Sequence, residues 1–228
     1  MSETTGSPVA SQRVAEVLRE RILSGRLRPG SRIKQDELAE ELATSRIPVR
    51  EALRILETRG LVEVRSNSGA WVGQMDLHDL TMSYQIRERI EPLLLADSMP
   101  RLGEDDVSDL RDLQARIEAG GDLETFMVLD REFHWRTYAG HRTPQLAGMI
   151  ERLWDTTQHY RREFARLMGA QGAWAVNAEH RLLVDAIAAR DEDTACRVLA
   201  LHIQRTRTEL MRHPEVFTAR PAEPDPLS

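Results

Sequence analysis

Apolar positions along the first 75 residues follow a helical spacing and then an alternating one. The helical spacing predicts three short helices, at residues 13–24, 35–43 and 45–59. The alternation predicts a β-hairpin, with strands at 61–65 and 70–73 on either side of the turn 66–69. Three helices and a hairpin, with a short turn between the second and third helix, are typical of a winged helix-turn-helix.

The rest of the chain repeats the helical spacing and shows no strand-like pattern. Glycine and proline breaks separate six predicted helices, at 77–98, 104–119, 123–139, 143–168, 174–190 and 193–212. We therefore expect a mainly α fold, in which a winged helix-turn-helix at residues 11–75 precedes an all-α bundle of about six helices at residues 76–213. Residues 1–10 and the proline-containing residues 214–228 are expected to be disordered tails.

Charge is distributed unevenly between these two parts. The whole chain has a formal net charge of −6, which by itself argues against a nucleic-acid partner. Residues 1–75 hold 12 Lys and Arg against 10 Asp and Glu, a net charge of +2, whereas residues 76–228 hold 19 against 27, a net charge of −8. The difference supports two domains with different chemistry.

Cysteine content and the N-terminus indicate where the protein works. The single cysteine, Cys196, excludes an internal disulfide framework and a cysteine-rich zinc module. Residues 1–10 lack the basic and apolar stretches of a signal peptide, and no apolar run approaches the roughly 18 residues that span a bilayer. We expect a cytoplasmic protein with no membrane partner.

The third predicted helix carries three arginines on one face, because Arg46, Arg50 and Arg54 recur every four residues. In a helix-turn-helix this helix docks in the major groove, where arginine can pair with guanine. Alone, such a stripe would indicate only a solvated cationic face, but the surrounding helix-turn-helix and wing favour DNA binding. Further residues are expected to hold DNA phosphates: Arg32, Lys34, Arg65 and Asn67.

Three helices of the predicted bundle place polar groups in their apolar stripes. Asp130 and His134 lie four residues apart on one helix, and His180 and His202 interrupt the stripes of two others. One such histidine alone would more often be a hydrogen-bonded core residue, and Asp130 with His134 could be a simple hydrogen-bonded pair. A carboxylate and three imidazoles that converge in a bundle core are instead a suitable ligand set for a first-row divalent metal.

The run Ser45-Arg46-Ile47-Pro48-Val49-Arg50-Glu51-Ala52-Leu53, followed by Gly60-Leu61-Val62 and the wing residue Gly69, resembles the GntR family of bacterial regulators. The resemblance implies that Arg46, Arg50 and Gly69 contact DNA, and we include Ser45 and Ile47 of the same run among the candidate contacts. Two positions depart from the family pattern. Ile47 replaces a residue that is usually threonine, and Asp36 stands where some members carry a DNA-contacting arginine.

The segment Leu129-Asp130-Arg131-Glu132-Phe133-His134, together with Glu179-His180-Arg181 and His202, resembles the FCD effector domain of the FadR subfamily. The helix count suggests its VanR-like branch. The resemblance implies that Asp130, His134, His180 and His202 bind a divalent metal (zinc, nickel or manganese) that leaves positions for a small carboxylate effector. Arg87 matches an arginine that contacts the effector in some members, although a surface ion pair with Glu91 is an equal alternative.

Together these features predict a metal-containing transcriptional regulator that responds to a small organic acid. It should bind a pseudo-palindromic DNA operator as a homodimer and act as a repressor that the effector releases. One alternative is a DNA-binding protein with a purely structural metal. A metalloenzyme with an Asp and His₃ site is disfavoured, because no nucleophile or general base accompanies the ligands and an enzyme would not explain the winged helix. We therefore expect that the protein is not an enzyme.

Overall fold

In the computed structural model, which describes residues 8–66 and 68–218, the chain divides into two compact units between Met75 and Asp76. The helices described in the N-terminal unit are α1 (Pro8–Leu23), α2 (Gln35–Glu41) and α3 (Arg46–Thr58). Its strands are β1 (Arg32–Ile33), β2 (Val62–Arg65) and β3 (Gly69–Val72), which form an antiparallel sheet in the order β1-β3-β2. This arrangement confirms the predicted winged helix-turn-helix.

Strand β1 is the part of this sheet that the sequence pattern does not predict. Its two residues are too few to show an alternation of apolar and polar positions. Arg32 pairs with Trp71 of β3, and Glu63 of β2 pairs with Trp71 from the other side. The sheet therefore holds Arg32 beside the wing, and the Arg32 and Arg65 guanidinium groups lie 5.9 and 4.7 Å from the centre of the Trp71 ring.

The two faces of α3 have opposite character. Val49, Leu53 and Leu56 are buried and pack with residues of α1 in the core of this unit. These positions follow the helical period, so the arginines between them point away from the core and are exposed. Gly60, with a φ of +75°, ends the helix in a left-handed conformation that favours glycine.

The C-terminal unit confirms the predicted helical bundle. Six long helices lie within its described residues: α4 (Leu77–Ser98), α5 (Glu104–Glu118), α6 (Leu123–Thr137), α7 (Pro144–Leu167), α8 (Ala170–Ala188) and α9 (Glu192–Met211). Helices α4, α6 and α9 begin where the side chain of an aspartate accepts a hydrogen bond from a backbone N–H of the first turn: Asp76, Asp122 and Asp191. Across the part of the chain that is described, no helix has the length and apolar character needed to cross a membrane.

Helices extend into both segments that the sequence predicts to be disordered tails. Helix α1 begins at Pro8, so residues 8–10 are helical, and proline suits the first position of a helix because that position needs no N–H donor. Beyond Pro214 a short helix, α10 (Glu215–Thr218), brings the Phe217 ring against Tyr160 at a centroid distance of 5.2 Å. Residues 1–7 and 219–228 lie outside the described residues, as does Asn67.

The core of the bundle contains titratable groups as well as apolar ones. His134 and His180 are only 2% and 1% exposed. Burial lowers the pKa of both imidazoles well below the usual 6.5, and the neighbouring His202 and Arg161 lower it further. Both side chains are therefore neutral in the folded bundle at neutral pH.

We expect the metal-free bundle to lose stability as the pH falls from about 7 to about 5.5. The unfolded chain takes up protons at both histidines near pH 6.5, whereas the folded bundle does not, so acid favours unfolding. Two such histidines give a slope of up to about 2.7 kcal/mol per pH unit. Urea unfolding in the presence of a chelator, followed through the backbone amides of α6 and α8, measures this slope. His134→Gln should reduce it, and a flat profile for the unsubstituted protein would contradict the argument.

Candidate nucleic-acid interface and metal centre

The N-terminal end of α3 presents an exposed, largely polar surface. Ser45 occupies the N-cap position in an extended conformation (φ −88°, ψ 169°), yet its hydroxyl makes no capping hydrogen bond. Arg46 and Arg50 follow it and are exposed, and Ile47 between them is 48% exposed. An apolar side chain at this position can contact a thymine methyl group, where a hydroxyl would have made a polar contact.

Most cations of this surface are paired with carboxylates of the same unit. Arg46 Nε lies 2.6 Å from Asp36 Oδ1, across the turn between α2 and α3. The other pairs are Lys34 with Glu37 at 2.8 Å, Arg54 with Glu51 at 2.9 Å and Arg65 with Glu63 at 2.9 Å. Exposed ion pairs contribute at most about 1 kcal/mol, so each cation can exchange its carboxylate for a phosphate or a base edge.

Arg50 differs from its neighbours, because no ion pair joins it to any other residue in the described parts of the chain. It lies on the same face of α3 as Arg46 and Arg54, one helical turn from each. Its guanidinium group is therefore available without the loss of an intramolecular contact.

The wing ends in a glycine whose backbone conformation restricts its replacement. Gly69 has a φ of +120°, a region that side chains rarely adopt, and a Cβ atom there would lie 3.5 Å from Arg32 Nε. The Arg32 guanidinium group donates a long hydrogen bond of 3.4 Å to the Ser68 carbonyl. Arg32 of β1 and Arg65 of β2 thus both lie near the Trp71 ring of β3, close to the glycine turn of the wing.

In the bundle, three histidines from three helices meet in one place. His134 on α6, His180 on α8 and His202 on α9 each offer a ring nitrogen, and these nitrogens lie within 4.8 Å of one another. We call these three residues the histidine cluster. Asp130, one turn before His134, places Oδ1 at 4.0 Å from His134 Nε2 and at 3.8 Å from His180 Nε2. The structure therefore brings all four predicted ligands together.

Polar partners surround the cluster, and sequence reasoning missed them. The Nδ1 atom of His180 hydrogen-bonds to Gln114 Oε1, and that of His202 hydrogen-bonds to Glu179 Oε2, both at 2.8 Å. Arg161 donates to the other oxygen of Asp130. The polar Gln114 within the buried face of α5 was a signal in the sequence that could have identified one of these partners.

Two imidazole nitrogens of the cluster are left without a hydrogen bond and can act as metal donors. Among the described residues, His180 Nε2 and His134 Nδ1 are buried without a hydrogen-bond partner. Burial acts to raise the pKa of Glu179, but hydrogen bonds from His202 and Arg205 outweigh it and lower this pKa to about 2. Divalent metals prefer imidazoles that lie beside carboxylates and have their other ring nitrogen hydrogen-bonded, as His180 and His202 have. The residues present therefore fit a divalent cation.

Arg87 lies in the same core, where it forms an ion pair with Glu91. Its Nε lies 2.5 Å from Glu91 Oε1, and Glu91 also accepts hydrogen bonds from Tyr138 at 2.8 Å and Trp154 at 3.1 Å. The ion pair between Arg87 and Glu91, which was the alternative interpretation of Arg87, is thus present, but it is buried and not on the surface. Nearby, the Tyr84 hydroxyl is buried and has no partner among the described residues.

The side chain of Trp154 connects Arg87 with the cluster. The guanidinium groups of Arg87 and Arg161 lie 4.6 and 4.0 Å from the centre of its indole ring, and the His134 ring lies 5.2 Å away. The indole ring of Trp154 therefore lies beside two buried guanidinium groups and beside the histidine cluster. Each guanidinium group is also paired with a buried carboxylate, Arg87 with Glu91 and Arg161 with Asp130.

Comparisons with known proteins find a matching family for each of the two units. Residues 10–72 match the family described as "Bacterial regulatory proteins, gntR family", and residues 82–205 match the "FCD domain". The Nta operon transcriptional regulator of Aminobacter aminovorans is 28% identical over 185 residues, which cover 80% of this chain and 86% of that protein. The transcriptional repressor GlaR of Escherichia coli strain K12 is 26% identical over 195 residues, which cover 82% of this chain and 89% of GlaR.

Solved structures show the same architecture. The structure of E. coli McbR/YncC aligns with a TM-score of 0.79 at 25% identity, over 90% of this chain and 98% of that one. These relatives are transcriptional regulators and not enzymes. The chain therefore belongs to the GntR family and is a DNA-binding transcriptional regulator, in which a winged helix-turn-helix precedes an FCD domain.

Proposed function

We propose that this regulator binds a small carboxylate at a divalent metal centre in its FCD domain and releases its DNA operator in response. The observation that carries the proposal is the meeting of Asp130, His134, His180 and His202 in one buried site. GntR regulators bind operators through the N-terminal unit and small molecules through the FCD domain, so the two sites have distinct roles. An effector can act only through a difference in its affinity for the DNA-bound and the free states.

For DNA recognition, we assign base contacts to α3 and phosphate contacts to the wing and the start of α2. Arg50 is unpaired and exposed, so it can contact a base without losing an ion pair, whereas Arg46 must first give up its ion pair with Asp36. Arg54 follows on the same face, and Ser45 and Ile47 flank Arg46 at the helix start. Phosphate contacts are assigned to Arg32, Lys34, Arg65, Asn67 and the backbone of Gly69.

Arg50→Ala should lower affinity for a preferred duplex by about 1–3 kcal/mol, because a bidentate contact to guanine is lost. The duplex is first selected by the protein from a randomised DNA library, and binding is measured by fluorescence anisotropy at several salt concentrations. Arg197→Ala is the matched control, since it removes the same charge from a side chain of α9 that is 81% exposed. Equal affinities for Arg50→Ala and the control would contradict the assignment.

For the metal, we assign Asp130, His134, His180 and His202 as ligands of zinc, nickel or manganese. Two of the imidazoles are held neutral by burial, so each offers a lone pair without first losing a proton. Asp130 supplies one oxygen toward the histidines while Arg161 holds the other. When bound, the cation supplies a Lewis-acidic centre for an anionic ligand.

His180→Ala should remove most of the bound metal and lower the melting temperature gained on adding Zn²⁺, because one of the converging ligands is lost. His78→Ala is the control, because His78 is an exposed histidine of α4 outside the cluster. Metal content is measured by mass spectrometry after dialysis, and circular dichroism checks that both variants remain helical. Full metal occupancy in His180→Ala would refute the site.

For the effector, we propose a small carboxylate that approaches the metal and the Arg87 side of Trp154. Arg87 and Arg161 supply positive charge there, and the unpaired Tyr84 hydroxyl supplies a hydrogen-bond donor. The Glu91 carboxylate already neutralises much of the Arg87 charge, so an anion has to compete with this buried pair.

Acetate, lactate or succinate should raise the melting temperature of the zinc-loaded protein and weaken its binding to the selected duplex, because ligands that bind the folded state stabilise it. The same additions to chelator-treated protein should have a smaller effect. If carboxylates leave both the melting temperature and DNA binding unchanged, the metal is structural, with its coordination completed by the four protein ligands.

We further propose that the regulator is a homodimeric repressor that acts in the cytoplasm on a pseudo-palindromic operator. Two copies related by a two-fold axis would place their α3 helices in successive major grooves, about one helical turn of DNA apart. An apolar stripe on α4 supports association, because Met82, Ile86 and Leu93 lie on one face and are exposed. The related protein GlaR is a transcriptional repressor.

A further inference from the structure

We propose that Gln114 and Glu179 are positioning residues that set the tautomers of two histidines before any metal binds. Each accepts a hydrogen bond from an Nδ1 atom, so that the proton of the imidazole is held there and Nε2 keeps its lone pair. The inference rests on the metal centre proposed above, but it concerns a property of the metal-free protein. Neither residue belongs to the predicted ligand set, and each lies on a different helix from the histidine that it contacts.

The orientation of the Gln114 amide is determined by its other partners. Gln114 Nε2 lies 2.8 Å from Glu118 Oε1 and 3.1 Å from Asn177 Oδ1. A carboxylate oxygen only accepts hydrogen bonds, so the group that faces Glu118 must be the NH₂ of the amide. The amide oxygen therefore faces His180 at 2.8 Å, and the nitrogen that contacts it, Nδ1, must carry the proton.

Glu118 is itself held by an arginine. Arg181 donates two hydrogen bonds to its carboxylate, of 2.6 and 2.7 Å. This bidentate contact fixes the carboxylate plane and lowers the pKa of Glu118, so the group stays an acceptor. An arginine, a carboxylate and an amide thus form a chain that ends at His180.

His202 is held by a shorter chain of the same kind. Arg205 donates two hydrogen bonds of 2.6 and 2.8 Å to Glu179, and Glu179 Oε2 accepts from His202 Nδ1 at 2.8 Å. Because a carboxylate cannot donate, His202 also carries its proton on Nδ1. In both histidines the remaining nitrogen, Nε2, is left as the metal donor.

His134 provides an internal comparison. Its Nδ1 is buried and has no hydrogen-bond partner within the described parts of the chain. No residue there ties its proton to one nitrogen, and a neutral imidazole without such a partner can place the proton on either nitrogen. A proton on the nitrogen that faces the metal has to move before coordination, so unset tautomers weaken binding.

The test compares Gln114→Leu and Glu179→Leu with Glu88→Leu. Glu88 forms an equivalent ion pair with Arg207, with side-chain exposures of 14% and 18%, against 12% and 20% for Glu179 and Arg205, but it contacts no histidine of the cluster. Nitrogen-15 NMR of the imidazoles, in chelator-treated protein at a pH at which they are neutral, reports the tautomer of each histidine. Competition with a chromogenic chelator measures Zn²⁺ affinity.

We expect the unsubstituted protein to show a single Nδ1–H tautomer at His180 and His202. Gln114→Leu should allow a second tautomer at His180 only, Glu179→Leu at His202 only, and each should weaken Zn²⁺ binding about 10–100-fold. Glu88→Leu should change neither. Gln114→Glu should keep the His180 tautomer, because its carboxylate still accepts a hydrogen bond from Nδ1. This variant still tests the proposal if the leucine variant does not fold.

Unchanged tautomers in both leucine variants would overturn the proposal, as would an equal loss of Zn²⁺ affinity in Glu88→Leu. Failure of the unsubstituted protein to bind Zn²⁺ would instead refute the metal centre. The tautomers of the metal-free protein would still show whether Gln114 and Glu179 position the histidines, so the two failures are distinguishable.

Discussion

Imidazoles buried among helices need hydrogen-bond partners, and this requirement organises the core of the C-terminal unit. His180 and His202 each find an acceptor for Nδ1, in Gln114 of α5 and in Glu179 of α8. Those acceptors are fixed by the arginine pairs described above, which lie toward the surface. Nε2 of His180, which has no hydrogen-bond partner among the described residues, consequently lies on the inside, 3.8 Å from Asp130 Oδ1. A bundle that satisfied every nitrogen would leave nothing for a metal to bind.

The face of α3 and the wing that we propose to bind DNA is exposed instead of buried. Its ion pairs are exposed, so water and salt weaken them, and a cation gains little from its carboxylate. Asp36, which departs from the family pattern, forms such an exposed pair with Arg46 of α3. The aspartate is therefore an exchangeable partner for this arginine. Under the assignment proposed above, recognition depends on where a few guanidinium groups lie and not on bulk charge, so the weak positive charge of this unit is sufficient.

Much of this organisation could be predicted because it repeats along the chain. The spacing of Val49, Leu53 and Leu56 identifies the buried side of α3 and hence the exposed side that carries its arginines. The interruption of apolar stripes by Asp130, His134, His180 and His202 identified all four groups that the fold brings together. Strand β1 was missed because two residues carry no period. The tails were assigned too many residues because α1 already begins at Pro8, and because the Phe217 ring packs against Tyr160, a contact that local pattern does not show.

The sequence by itself determined the elements, the division of charge and the candidate ligands, because each depends on spacing within a single helix or strand. Only the tertiary structure decided which groups face those ligands. Gln114 lies 66 residues from His180 in the chain, and Arg161 lies 31 residues from Asp130. It also decided that the Arg87–Glu91 pair is buried against Trp154, where the neighbours on α4 alone would equally suit a surface pair. Contacts between helices depend on how their faces pack, and the period of one helix holds no information about the face that meets it.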